Sequence, residues 1–251
     1  MGDRGFRQLG NGAADSEKNG MTHRKIEYWV IPPEADGEFV AHLEEVLETD
    51  AKPDDPMRPV LCRDEQPVQL LKETRVPIPA TRRHAKRVDD EDERAGTANI
   101  FRFAEPWAGW REVAVRDTKT TVDWAGEMAR LMEGRDAKVE RVTVVCDHLN
   151  THTTGAFSER FAPGRARELV RRIDFGDTPQ HGSWLNIAEN ELSSMTRQCV
   201  AGRRFGDTRS LRVETKAWSS DVNSTQRGVD WQMKIDDARC KLASVYPKIK
   251  L

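Results

Sequence analysis

The chain has 251 residues, 33% of them charged, with a net charge of −2 at pH 7 and a mean hydropathy of −0.73. That length suits one large domain or two smaller ones, with a substantial core. No apolar run approaches the ~20 residues of a membrane span, and the opening MGDRGFRQLGNGAADSE lacks the apolar stretch of a secretory signal, so a leader without order and a cytoplasmic protein are expected.

Cys62, Cys146, Cys199 and Cys240 are far apart in apolar or helical contexts, which predicts buried free thiols in a reducing cytosol. Charge is spread unevenly. Lys72–Arg87 holds six Lys/Arg against one Glu, Asp89–Arg94 reverses the sign, and Phe157–Arg172 holds five Arg against two Glu. Basic patches on a neutral protein suit a DNA-binding enzyme with an acidic site, although a solvated charged surface has the same pattern.

Residues 1–24 carry no helix or strand period. Lys25–Pro33 is a short extended segment closed by two prolines, and Phe39, Leu43, Val46 and Leu47 recur at helical spacing. Ala51–Pro59, with three prolines, is a linker. Val60–Asp64 predicts a strand, and Pro67–Leu71 either a second strand or a bend. Ala98–Phe103 and Arg111–Val115 predict antiparallel strands joined by EPWAGW. A helix begins near Thr120 or Thr121, with Trp124, Met128 and Leu131 on one face. Val142–Asp147 is the most apolar strand. A helix over Arg165–Ile173 with Pro163 near its start and a short strand at Ile173–Phe175 come next. The remainder is helical, at Ile187–Cys199, Thr208–Trp218 and Asp236–Val245. This order predicts an α/β domain with a mixed sheet, antiparallel in the meander and parallel at Val142–Asp147.

Among 42 acids, three stand where carboxylates can converge. Asp147 ends the most apolar strand; the alternative is a turn cap with His148 and Asn150. Asp64 ends the Val60–Cys62 run, and its competitor Glu65 falls on the other strand face with Arg63. Glu189 lies one turn into a helix, where it serves equally as the third member of a capping box begun by Asn186. Glu191 points to a different helix face. Three convergent carboxylates suit divalent-metal phosphoryl transfer. Cys146, His148 and His152 form a weaker zinc pattern, because HxxxH needs a helix to converge and here it straddles a strand end. Phosphate-loop, dinucleotide and serine-hydrolase motifs are absent.

The segments CRDEQPVQLLKETRVP (62–77), RAGTANIF (94–101), VVCDHLNTHT (144–153), HGSWLNIAENELSSMTRQC (181–199) and VDWQMKIDDARCKLASVYPKIKL (229–251) resemble the DDE transposases of mariner-related bacterial insertion sequences. The likeness covers roughly 18–251. It implies a ribonuclease H-like fold, a mixed sheet flanked by helices, with Asp64, Asp147 and Glu189 as the catalytic and metal-binding acids, spaced 147 − 64 = 83 and 189 − 147 = 42 residues apart. It further implies two Mg²⁺ or Mn²⁺ ions, cut-and-paste transposition, and a homodimer. Its partners would be double-stranded DNA, both terminal inverted repeats and TA-containing targets, on a bacterial nucleoid. Asn150, His152, His181, Trp184 and Asn186 flank the acids as candidates for positioning metal or DNA, and Arg82, Arg83, Lys86 and Arg87 as DNA contacts. The implied organisation is a leader and helix-turn-helix remnant over 1–24, a linker strand and helix over 25–58, and a catalytic domain over 59–251.

Several positions depart from the family pattern. Arg63 and Arg102 replace apolar strand residues, Asp90 and Asp92 replace aromatics, and His148 replaces Asn. Asp177 and Gln180 replace Tyr and Lys, an added acid and a lost base expected to weaken DNA contact. A fully buried, unpaired Arg would cost several kcal/mol. The competing reading is therefore a catalytically inactive fragment that binds DNA or dimerises.

Overall fold

The computed structural model describes residues 36–147, 153–180, 182–225, 227–229 and 231–248, which fall in one compact unit. The leader, the extended segment at 25–33, and His148, Asn150, His152 and His181 lie outside the described residues.

Helix α1 (Gly37–Asp50) starts where the Asp36 carboxylate accepts from the amides of Glu38 and Phe39, and it buries Phe39, Leu43, Val46 and Leu47. Strand β1 (Val60–Glu73) is one continuous strand. Pro67, expected to mark a break, sits inside it. Beyond Cys62 the parallel pairing has ended, so the missing proline N–H faces an edge without a ladder. Strands β2 (Asp92–Glu105) and β3 (Trp110–Arg116) pair antiparallel through a turn in which Gly109 takes φ +61°. Helix α2 (Thr121–Glu133) opens on a capping box between Thr120 and Asp123.

Strand β4 (Val142–Asp147) is followed by α3 (Gly155–Arg160), α4 (Pro163–Val170) and β5 (Ile173–Thr178). A 3₁₀ turn (Ser183–Leu185) leads into α5 (Ile187–Met195), which closes in a π turn (Thr196–Val200). The chain ends in α6 (Thr208–Thr225) and α7 (Ile235–Lys241). Short α3 is not legible in the sequence: it has six residues and no side-chain cap.

The sheet order is β3-β2-β1-β4-β5, with β1 antiparallel to β2 and parallel to β4. On one face Leu61, Phe101, Phe103, Val142 and Val144 pack against Trp124, Met128 and Leu131 of α2 and Phe157 of α3. On the other, Cys62 and Val145 pack under α1, the start of α5 and residues 238–245. Farther along that face, Val68, Leu70, Ala98 and Ile100 meet Leu192 and Met195 of α5 and Leu211 and Trp218 of α6. The result is a three-layer mixed α/β fold. Cys62, Cys146 and Cys199 are buried free thiols as expected, but Cys240 is exposed, on the outer side of short α7. Among the described residues no helix is long and apolar enough to cross a membrane.

Candidate active site

Side chains alternate along strands, so register decides which residues share a face. Asp64 lies directly opposite Arg102, and Arg102 opposite Val113. The parallel ladder pairs Cys62 with Val145; continued by two residues it sets Asp64 beside Asp147. Asp147 in turn faces Thr178. Val113, Arg102 and Asp64 thus share one face with Asp147 and Thr178, Asp64 and Asp147 each lying two residues past the last residues paired between β1 and β4. Helix α5 lies over that face and brings Glu189 in its first turn.

Burial pushes the Asp64 carboxyl up to about 7, against a hydrogen bond from the Glu65 amide (2.7 Å), and the negative charges of Asp147 and Glu189 push the same way. Asp147 and Glu189 therefore both lie near enough to act on Asp64 through space. Their side chains do not close on a point: among the described residues no group of three or more His, Cys, Asp or Glu is gathered tightly enough to hold an ion. The donor set is nonetheless hard oxygen, which fits Mg²⁺ or Mn²⁺ and not zinc.

Glu65, the competitor of Asp64, is on the opposite face, paired with Arg63. The Arg63 guanidinium is 0% exposed and stacks 5.9 Å from the Phe101 ring and 5.7 Å from that of Trp124. Glu191, the competitor of Glu189, accepts from Arg102 (2.6 Å) and from Arg111 (3.0 and 3.1 Å). Both unexpected arginines are thus paired. Desolvation still draws Arg102 down to about 10.

The capping box expected at Asn186 and Glu189 is only half present. The Asn186 side chain accepts from the Ala188 amide (3.0 Å), but its backbone N–H donates to the Ser183 carbonyl (2.8 Å). The 3₁₀ turn has taken the donor that Glu189 would have used. Asn186 is fully buried, and its Nδ2 donates to the Arg63 carbonyl at 2.7 Å, which ties α5 to β1 one residue before Asp64. Its side chain contacts protein groups only, in the described residues. Trp184 is half-buried in the 3₁₀ turn and packs on the core beneath α1.

Arg82, Arg83, Lys86 and Arg87 are exposed in the excursion between β1 and β2, whose only regular pairing among the described residues is the Ile78–Arg87 bridge. Nine residue steps along the strand lead from Asp64 to Glu73, at roughly 3.3 Å each about 30 Å, so this basic group is not part of the acid cluster. Asp177, expected beside the acids, falls on the opposite face, where it approaches the Cys146 thiol (3.7 Å). A groove of about 630 Å³ runs along the outer side of β3, and none of the three acids lines it.

The model of the DDE superfamily endonucleases matches residues 59–212. The chain belongs to that family. No curated protein matches this DDE endonuclease in sequence. Among solved structures it is similar to the Mos1 mariner paired-end complex with Mn, at 13% identity and a TM-score of 0.50, over 86% of this chain and 66% of that one. The paired-end complex with Mg gives 12% and 0.52 over 94% and 71%, and the Mos1 strand transfer complex 12% and 0.51 over 85% and 64%. These likenesses establish the ribonuclease H-like transposase fold; the chain spans about two thirds of the Mos1 chains it matches.

Two residues of the DDE endonuclease face are not evident from sequence. Thr178, 2% exposed, donates from its hydroxyl to Asp147 at 3.3 Å. Glu191 reads as a bystander in sequence, and only the two buried arginines reveal its partners. Alternation along Ile173–Thr178 points to Thr178 once the strand is extended to its end.

Proposed function

We propose that this chain is the catalytic domain, over 59–251, of an insertion-sequence transposase that cuts DNA strands and joins the freed ends to a target. Asp64, Asp147 and Glu189 would hold divalent cations, Mg²⁺ or Mn²⁺, two in number. The observation behind the reading is the shared face that sets Asp64 beside Asp147 with α5 presenting Glu189 above, where the charges of Asp147 and Glu189 help push Asp64 up to about 7. Bound there, such cations would supply Lewis-acid activation of a water or a DNA 3′-hydroxyl and of the leaving oxygen.

The chain's own part is placement. Thr178 fixes the Asp147 carboxylate, and Asn186 holds the start of α5 against β1 so that Glu189 stays over Asp64. Double-stranded DNA is the substrate in this reading, both element ends and target, engaged by a homodimer. Its support is the family and the likeness to Mos1 complexes with transposon ends.

A second reading, a protein that binds DNA or dimerises without cutting it, is favoured by the unclosed acids among the described residues. Nicking of supercoiled plasmid at low salt with Mn²⁺ or Mg²⁺ separates the two. The catalytic reading requires metal-dependent nicking that disappears in Asp147→Asn. A cooperatively folded protein that does not nick would establish the second.

A further inference from the structure

The shared sheet face places a cation next to the acids. Arg102 on β2 is the direct cross-strand partner of Asp64 on β1, on the same face. Opposed side chains start about 5 Å apart at Cβ, well inside the reach of an arginine. An arginine there is the natural counter-ion of Asp64, yet its guanidinium is held elsewhere. It donates to Glu191 Oε2 at 2.6 Å and stacks 4.6 Å from the Trp218 ring. Glu191 is steadied in turn by a two-pronged contact from Arg111. One carboxylate thus serves two buried guanidiniums, an excess of one positive charge beside the acids. The other Arg102 nitrogens, Nε and Nη1, have no hydrogen-bond partner among the described residues, so no second acceptor fixes the group in place.

We infer that Glu191 is a positioning residue of the acid site: it draws Arg102 toward Trp218 and so keeps Asp64 available to a divalent cation. Without the Glu191 charge, Arg102 is left buried against Arg111 with no anion. Swinging about its Cβ onto Asp64 would then neutralise both, and an Arg102–Asp64 ion pair competes directly with cation binding. The inference rests on the proposed role of Asp64.

The test is Mn²⁺ affinity without DNA, read by electron paramagnetic resonance of free Mn²⁺. Wild type, Glu191→Gln, the double variant Glu191→Gln/Arg102→Met, and Asp64→Asn are compared. Glu191→Gln should weaken binding by tenfold or more, and adding Arg102→Met should restore it to within about threefold of wild type. Loss without rescue would make Glu191 itself a ligand and overturn the inference, as would unchanged affinity in Glu191→Gln. If Glu191→Gln does not fold, Glu191→Asp keeps the charge but shortens its reach. It should give a smaller loss, again undone by Arg102→Met, and absence of either effect overturns the inference. Wild type that binds no better than Asp64→Asn would instead sink the underlying metal site.

Discussion

Two carboxylates, one buried and one half-buried, carry an electrostatic cost that substitutions can expose. Asp50 ends α1, where the helix dipole already disfavours an anion, is 7% exposed, and has no hydrogen-bond partner for Oδ2 among the described residues. Burial pushes it up to about 7. The folded value lies above the ordinary one of 3.8, so between about pH 4 and 7 the folded protein keeps a proton that the unfolded chain has lost. Stability therefore falls as pH rises through that window and levels off above it. Asp50→Asn should flatten this slope and stabilise the protein at pH 8 by on the order of 2–4 kcal/mol, with little effect at pH 4, as urea titrations at the two pH values would reveal. Asp64 shares the pH dependence but not the consequence. Asp64→Asn should raise Tm at pH 8 without metal and abolish the further rise that Mn²⁺ gives wild type, about 2.7 kcal/mol at a hundredfold excess over Kd. A metal-induced rise that survives in Asp64→Asn would place the cation elsewhere.

At the level of elements, α5 is the piece that matters, because it carries Glu189, Glu191 and the Asn186 strap. Asn186→Ala removes the cap, worth about 1 kcal/mol, and leaves the Arg63 carbonyl buried without its donor, about 1–3 kcal/mol more. A loss of roughly 2–4 kcal/mol in urea unfolding is expected, together with weaker Mn²⁺ binding as Glu189 drifts from Asp64. Stability loss with unaltered Mn²⁺ affinity would confine Asn186 to structure. Much of the fold is legible in the sequence: the α1 and α2 stripes carry 3.6 repeats, and β4 stands out as a short apolar run. What sequence misses depends on neighbours. Pro67 breaks a strand only where both edges are paired, and here one is open. Glu189 forms a capping box only if the cap amide is unclaimed, and Ser183 claims it. Arg63 and Arg102 look out of place in apolar strand positions until Glu65, Glu191 and the facing aromatic rings are assembled around them.

Across the whole molecule, the acids and the basic β1–β2 excursion are held apart by the length of the hairpin. Arg204 pins the base of that excursion, donating to Glu73 (2.8 Å) and to the Asp89 carbonyl (2.7 Å), while Leu71 donates its amide to the Phe205 carbonyl (2.8 Å). The hairpin is therefore braced at its far end by the segment between α5 and α6. The separation of about 30 Å is close to one helical turn of B-DNA, 34–36 Å in round terms. A duplex lying over the acids can then meet Arg82, Arg83, Lys86 and Arg87 roughly a turn away, and these charges would add affinity without entering the chemistry. Changing all four to Gln should lower DNA affinity and reduce the slope of log K against log salt by up to about 3–4, near 0.9 for each phosphate that is no longer neutralised. Mn²⁺ affinity should remain at the wild-type value, because nothing in the excursion touches the acids. Filter binding between 50 and 200 mM salt, with Mn²⁺ titrations on the same samples, tests both halves. An unchanged salt slope would mean that the duplex follows another path, and a coupled fall in Mn²⁺ affinity would mean that excursion and acid site are mechanically linked through β1.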